Sequence, residues 1–160
     1  MRYRWIGKRE IKLIKNSIAI VIPIYEGSEF IDDLLEAIKA QSVEADEIVF
    51  VVSKIGDFNE LIKKLKRHDL KNIKYELIEP SYPGKARNVG VEISKSDWIA
   101  FLDQRTLPTN KWLESLVEAS DKGRYKFVGG LRTSVADTRY KKILKASTYG
   151  NESAKSLAGS

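Results

Sequence analysis

The 160 residues carry 28 Lys and Arg against 22 Asp and Glu, a net charge of +6, with 42% hydrophobic side chains and no Cys. That length suits one domain with its own core, and that apolar content excludes a disordered chain. The lack of Cys excludes a disulfide scaffold, a thiolate metal site and a Cys nucleophile, and no apolar run reaches the roughly 18 residues of a membrane-spanning helix.

Residues 1–16 read as a basic N-terminal extension, with six bases against one acid. Trp5, Ile6, Ile11, Leu13 and Ile14 are interleaved with those bases. This pattern suits an anionic membrane surface, or else a terminus that frays or adds a strand. The apolar run Ile18-Ala-Ile-Val-Ile-Pro-Ile-Tyr25 copies a signal peptide only superficially. Pro23 interrupts it, no small-x-small cleavage site follows, and Glu26 and Glu29 come at once.

Strand and helix patterns then alternate. Residues 17–24 are β-branched and continuous, which predicts a strand buried on both faces. Ser28 is the predicted cap of a helix whose apolar positions Phe30, Ile31, Leu34, Leu35 and Ile38 follow the helical period. Residues 47–52 form a second strand. Asp57 and Glu60 make a capping-box-like start to a helix running to Arg67. Residues 73–78 are a third strand, stopped by Pro80, and 85–94 a helix opened by Pro83-Gly84. Residues 97–102 are a fourth strand and 110–120 a helix with Trp112, Leu113, Leu116 and Val117 on one face. A fifth strand over 126–131 and a last helix over 139–149 complete the pattern.

This alternation predicts an α/β fold in three layers, α/β/α, around a mostly parallel central sheet. In such sheets ligands bind outside the carboxyl ends of the strands. Those ends carry Pro23, Tyr25 and Glu26, then Ser53 and Lys54, then Tyr82 and Gly84, then Asp103-Gln104-Arg105. An aromatic ring, carboxylates and cations on one edge suit a nucleotide. No Walker loop and no G-x-G-x-x-G is present, which argues against P-loop and dinucleotide binding. Nucleic acid is not an expected partner, because the aromatic-and-basic interleaving of single-strand binders is missing.

The ordered set Ile20-Val-Ile-Pro-Ile-Tyr25, Asp46-Glu-Ile-Val-Phe-Val-Val52, Gly84-Lys-Ala-Arg-Asn-Val-Gly90, Trp98-Ile-Ala-Phe-Leu-Asp103 and Pro108 to Leu113 resembles the family 2 glycosyltransferases. The resemblance implies a GT-A, Rossmann-like fold whose N-terminal half binds a nucleotide-sugar. It implies a core over 17–135, with 136–160 beginning an acceptor-binding half or forming a truncated tail. The implied reaction transfers a sugar, UDP-linked, to a sugar, lipid or protein acceptor with inversion. The general base for that step is expected beyond Ser160. The implied location is the cytoplasm, with peripheral contact at the inner face of a membrane as an option.

Carried over by position, Pro23 and Tyr25 would line the nucleobase site, with Tyr25 stacked on the ring and Glu26 close to the donor. Arg87 would approach the donor's nucleotide portion and Asp103 its ribose, with Lys85 and Arg87 as added cations for the diphosphate. Two departures stand out. Val52-Ser53 replaces the usual pair of acids after the second strand, so Ser53 offers only a hydroxyl to the base. The acidic motif that binds Mg²⁺ or Mn²⁺ in the family reads Asp103-Gln104-Arg105, leaving Asp103 as a metal ligand and a guanidinium at the usual final one. Two readings follow: Arg105 replaces the metal against the diphosphate, or the domain binds nucleotide or a partner without turnover. Each residue also has a plainer reading: packed aromatic for Tyr25, turn acid for Asp103, ion-paired surface base for Arg87, solvated loop base for Arg105. His68, in the run Lys63-Lys64-Leu-Lys66-Arg67-His68, is predicted to lie on a solvated face.

Overall fold

The computed structural model of the chain describes residues 2–6, 10–14, 16–25, 28–121 and 128, within the first of two compact units, Met1–Val128. Glu26, the predicted fifth strand except Val128, and the predicted last helix lie outside the described residues. Strands β1 (Arg2–Ile6) and β2 (Glu10–Ile14) pair antiparallel, with Tyr3 opposite Leu13 and Trp5 opposite Ile11. The basic extension thus pairs with itself as a two-stranded sheet and adds no strand to the larger one. Among the described residues no helix is long and apolar enough to cross a membrane.

The larger sheet consists of β3 (Ile18–Ile24), β4 (Glu47–Val52), β5 (Ile73–Leu77) and β6 (Trp98–Phe101), all parallel, in the order β5-β4-β3-β6. Every residue of β3 is buried, as a central strand covered on both faces requires. Side chains alternate between two cores. Ile18, Ile20, Ile22 and Ile24 face helices α1 (Ile31–Lys39), α2 (Ile55–His68) and α4 (Trp112–Asp121), while Val21, Val49 and Val51 face α3 (Pro83–Ile93). The three predicted layers are present. The chain steps outward from β3 to β5 through α1 and α2, then returns through α3, on the opposite face, to β6. Its direction therefore reverses between β3 and β6, and in open α/β sheets that reversal opens a crevice at the strands' carboxyl ends.

Close packing on the second face depends on a glycine. A Cβ built at Gly90 would lie 2.3 Å from Val21 Cγ1, so α3 reaches β3 only because this position has no side chain. Ala86, one turn earlier and 1% exposed, continues the small-residue face.

Two predicted helix starts need correction. Ser28 does not cap α1: Ser28–Phe30 form a 3₁₀ turn, and Phe30 occupies the N-cap position with no side-chain cap bond. Phe30 is also 39% exposed rather than a core position. Helix α2 begins at Ile55, so Asp57 lies inside it and not at its N-cap. The physical reason is the short connection after β4: Lys54 is already the extended N-cap residue, and the Phe58 amide bonds its carbonyl. Helix α4 is capped from a distance, by Gln41 Oε1, which accepts the Leu113 amide at 3.0 Å while Gln41 Nε2 donates to the Thr109 carbonyl.

The predicted solvated face on α2 holds for Lys63, Lys66 and Arg67 but not for the whole run. Lys64 is 8% exposed and bonds Asp32 on α1. The His68 ring is largely covered, with Nε2 3.0 Å from Asp32 and Nδ1 3.0 Å from Glu36. The side-chain bond from Lys64, followed by that from His68, holds the Asp32 carboxyl below the usual carboxylate range. A cluster on a charged run is invisible from one helix alone, because its partners sit on the neighbouring helix 32 to 36 residues away.

Candidate functional site

The site forms where the loops leaving β3 and β6 meet. The last ladder bond between these strands runs from the Leu102 amide to the Val21 carbonyl, at 3.1 Å. Pro23 comes next on that side and has no N–H to offer, which costs nothing because β6 has already ended at Phe101. Two residues further on, the side chain of Gln104 takes over from the missing strand. The Tyr25 amide donates to Gln104 Oε1 at 2.8 Å, and Gln104 Nε2 donates to the Tyr25 carbonyl at 3.5 Å. Gln104 is 8% exposed, so this contact lies beneath the rim.

Asp103-Gln104-Arg105 is the first part of a β-turn, closed by the Thr106 amide on the Asp103 carbonyl at 2.9 Å. The turn sends its three side chains in different directions. Gln104 points inward. Asp103 Oδ1 accepts from Arg87 Nη2 of α3 at 2.6 Å, with both side chains partly exposed. Arg105 lies exposed over the ring of Phe30, its Cζ 5.4 Å from the centroid, a cation–π contact.

The structure thus brings Tyr25, Asp103, Arg87 and Arg105 to one rim around Gln104. Tyr25 is 50% exposed, as a ring available for stacking must be. Lys85 is exposed in the first turn of α3, its amide bonded to the Tyr82 carbonyl at 3.0 Å. Ser53, by contrast, is 1% exposed and Pro23 is buried in β3. Neither reaches the surface as the predicted base contact would require, and the Ser53 amide extends the other ladder to the Ile24 carbonyl at 3.0 Å. Glu26 lies outside the described residues. Sequence reasoning missed two members of this arrangement. Gln104 reads only as the middle of an altered acidic triplet, and Phe30 reads as a core position of a helix.

The described residues of this rim do not fit a divalent cation. Asp103 is already ion-paired with Arg87, and a second guanidinium stands two residues away in the same turn. Among the described residues, no three His, Cys, Asp or Glu side chains gather into a group that could hold a metal ion.

The sequence pattern of Glycosyl transferase family 2 matches residues 19–156. The chain belongs to that family. Among its relatives is the amylovoran biosynthesis glycosyltransferase AmsB of Erwinia amylovora, 30% identical over 90 residues that cover 54% of this chain and 30% of AmsB. Another is the glycosyltransferase AglE of Haloferax volcanii, 30% identical over 117 residues, 71% of this chain and 38% of AglE. The family 2 chain therefore spans about a third of the length of these relatives. Its fold is that of S. aureus TarS, residues 1–349, with a TM-score of 0.58 at 20% identity over 74% of this chain and 38% of that one. It is also that of the mannosyltransferase PcManGT of Pyrobaculum calidifontis, solved with GDP-Man and Mn²⁺, with a TM-score of 0.59 at 19% identity over 71% and 34% of the respective chains. The three-layer sheet of this family 2 domain is accordingly a GT-A fold.

Proposed function

We propose that this chain is the donor-binding part of a glycosyltransferase that uses a nucleotide-sugar, UDP-linked, and transfers the sugar with inversion. The observation that carries this reading is the Gln104 bridge to Tyr25, which ties the two loops flanking the switch point into one rim. In this reading Tyr25 stacks on the nucleobase above Pro23 and Ser53. Asp103, half exposed, accepts from ribose hydroxyls beside its bond to Arg87, since a carboxylate has room for several donors. Lys85, Arg87 and Arg105 face the diphosphate.

The transfer requires an acceptor hydroxyl to attack the anomeric carbon from the face opposite the phosphate. The new glycosidic bond forms as the bond to the phosphate oxygen breaks. The nucleoside diphosphate leaves with that electron pair, and the hydroxyl proton passes to a general base. That base is assigned to an acceptor-binding segment outside the described residues. The acceptor, whether sugar, lipid or protein, is bound there as well.

Isothermal titration with UDP and with GDP tests the reading. Binding of one diphosphate is expected, weakened by Tyr25→Ala and largely kept by Tyr25→Phe; absence of heat with both nucleotides refutes it. A second reading, nucleotide binding without transfer, draws on Arg105 at the usual metal-ligand position. Sugar transfer by the protein from a UDP- or GDP-sugar to any acceptor would remove that second reading.

A further inference from the structure

We propose that the donor diphosphate is held by the Arg105 guanidinium without a divalent cation. This rests on the donor-binding reading above and specifies how that site meets its anion. Three observations support it. The 103–106 turn directs Arg105 outward on the same rim as Tyr25. The Phe30 ring holds the guanidinium by its face, 5.4 Å from the centroid, and face contact leaves the N–H edges available to phosphate oxygens. Among the described residues Arg105 makes no ion pair, whereas Asp103, the carboxylate that would bind a metal, is engaged by Arg87 at 2.6 Å.

The electrostatics point the same way. A cation approaching Asp103 meets a carboxylate whose charge Arg87 already balances, and a second fixed positive charge at Arg105. A diphosphate approaching the same place meets a net positive charge: Arg87 and Asp103 balance one another, and Arg105 and the exposed Lys85 remain. Arg87 then has a double task. It neutralises Asp103, which would otherwise repel the anion, and it keeps that carboxylate oriented for the ribose.

The test is titration of the purified chain with UDP and UMP, and with GDP and GMP, in EDTA and in Mn²⁺. The diphosphate is expected to bind in EDTA, with Mn²⁺ changing Kd less than about threefold. Arg105→Ala should weaken the diphosphate roughly ten- to a hundredfold, the scale of a hydrogen bond to a charged group. It should weaken the monophosphate far less, so that the preference between them collapses, and Arg105→Lys should recover part of it. A melting temperature matching the parent keeps a folding defect from producing the same result. Diphosphate binding that appears only with Mn²⁺ overturns the proposal and leaves the donor-binding reading standing. Equal losses for diphosphate and monophosphate overturn it too, because Arg105 would then act on the site as a whole. No binding under either condition overturns both.

Discussion

Gln104 stands in for a strand that has run out: its side-chain amide pairs with both backbone polar groups of Tyr25, 79 residues earlier in the chain. The bond joins the loops leaving β3 and β6 beyond the point where their ladder ends. The backbone of an exposed aromatic residue is thus held by a buried side-chain amide.

Replacing Gln104 by Leu keeps the volume and removes both bonds. The Tyr25 amide then loses its acceptor in a part-buried site, a loss of about 1–3 kcal/mol. Denaturant unfolding should report that decrease. Nucleotide affinity, measured separately on the folded protein, should also fall as the Tyr25 loop becomes less ordered, and Gln104→Glu should recover less than half of it because a carboxylate cannot donate to the Tyr25 carbonyl.

Gly90→Ala offers a sign test. In an exposed helix interior this change stabilises by roughly 0.5–1 kcal/mol. Here the added methyl meets Val21 Cγ1 at 2.3 Å, in the central strand. Overpacking of this kind costs about 1–3 kcal/mol. A lower melting temperature is expected, and the double variant Gly90→Ala with Val21→Ala should recover part of the loss.

The cluster between α1 and α2 predicts unequal costs for its two halves. Asp32→Ala leaves Lys64, 8% exposed, without its carboxylate and should destabilise by about 1–3 kcal/mol. Lys64→Met removes the buried charge and keeps the packed stem, so it should cost less. Thermal melts of the two variants at neutral pH decide the order.

Glu47 predicts a pH dependence. Burial pushes its carboxyl up, but bonds from Lys74 at 2.6 Å, Ser96 Oγ at 3.0 Å and the Lys95 amide outweigh this and leave it below the ordinary carboxylate value. A carboxyl that is more acidic in the folded state stabilises the fold above its unfolded pKa. That contribution is lost as the pH falls through the folded value. Urea unfolding from neutral pH into the acid range should therefore show stability falling below the ordinary Glu range. Glu47→Gln should be less stable at neutral pH and should show a shallower acid slope.

The alternation of β-branched strands and periodic helices was enough to establish an α/β fold and its three layers. These properties are local or nearly so: burial on both faces writes a continuous apolar strand, and an apolar stripe writes a helix. The positions of Tyr25, Asp103, Arg87 and Arg105 on one rim were likewise legible, since each follows or opens an element at the same end of a parallel sheet. What only the tertiary structure decided is which partner each polar side chain takes. Arg87 takes Asp103 16 residues away, Gln41 caps a helix 72 residues away, and His68 lies against Asp32 and Glu36 instead of solvent. Arg105 rests on Phe30, which the helical pattern alone assigned to the core. Hydrogen bonds and ion pairs are short-ranged and directional, so a sequence pattern can say that a polar group must be satisfied but not by which distant residue. That choice is made when the strands stack in register and the loops at their ends are brought within about 3 Å of one another.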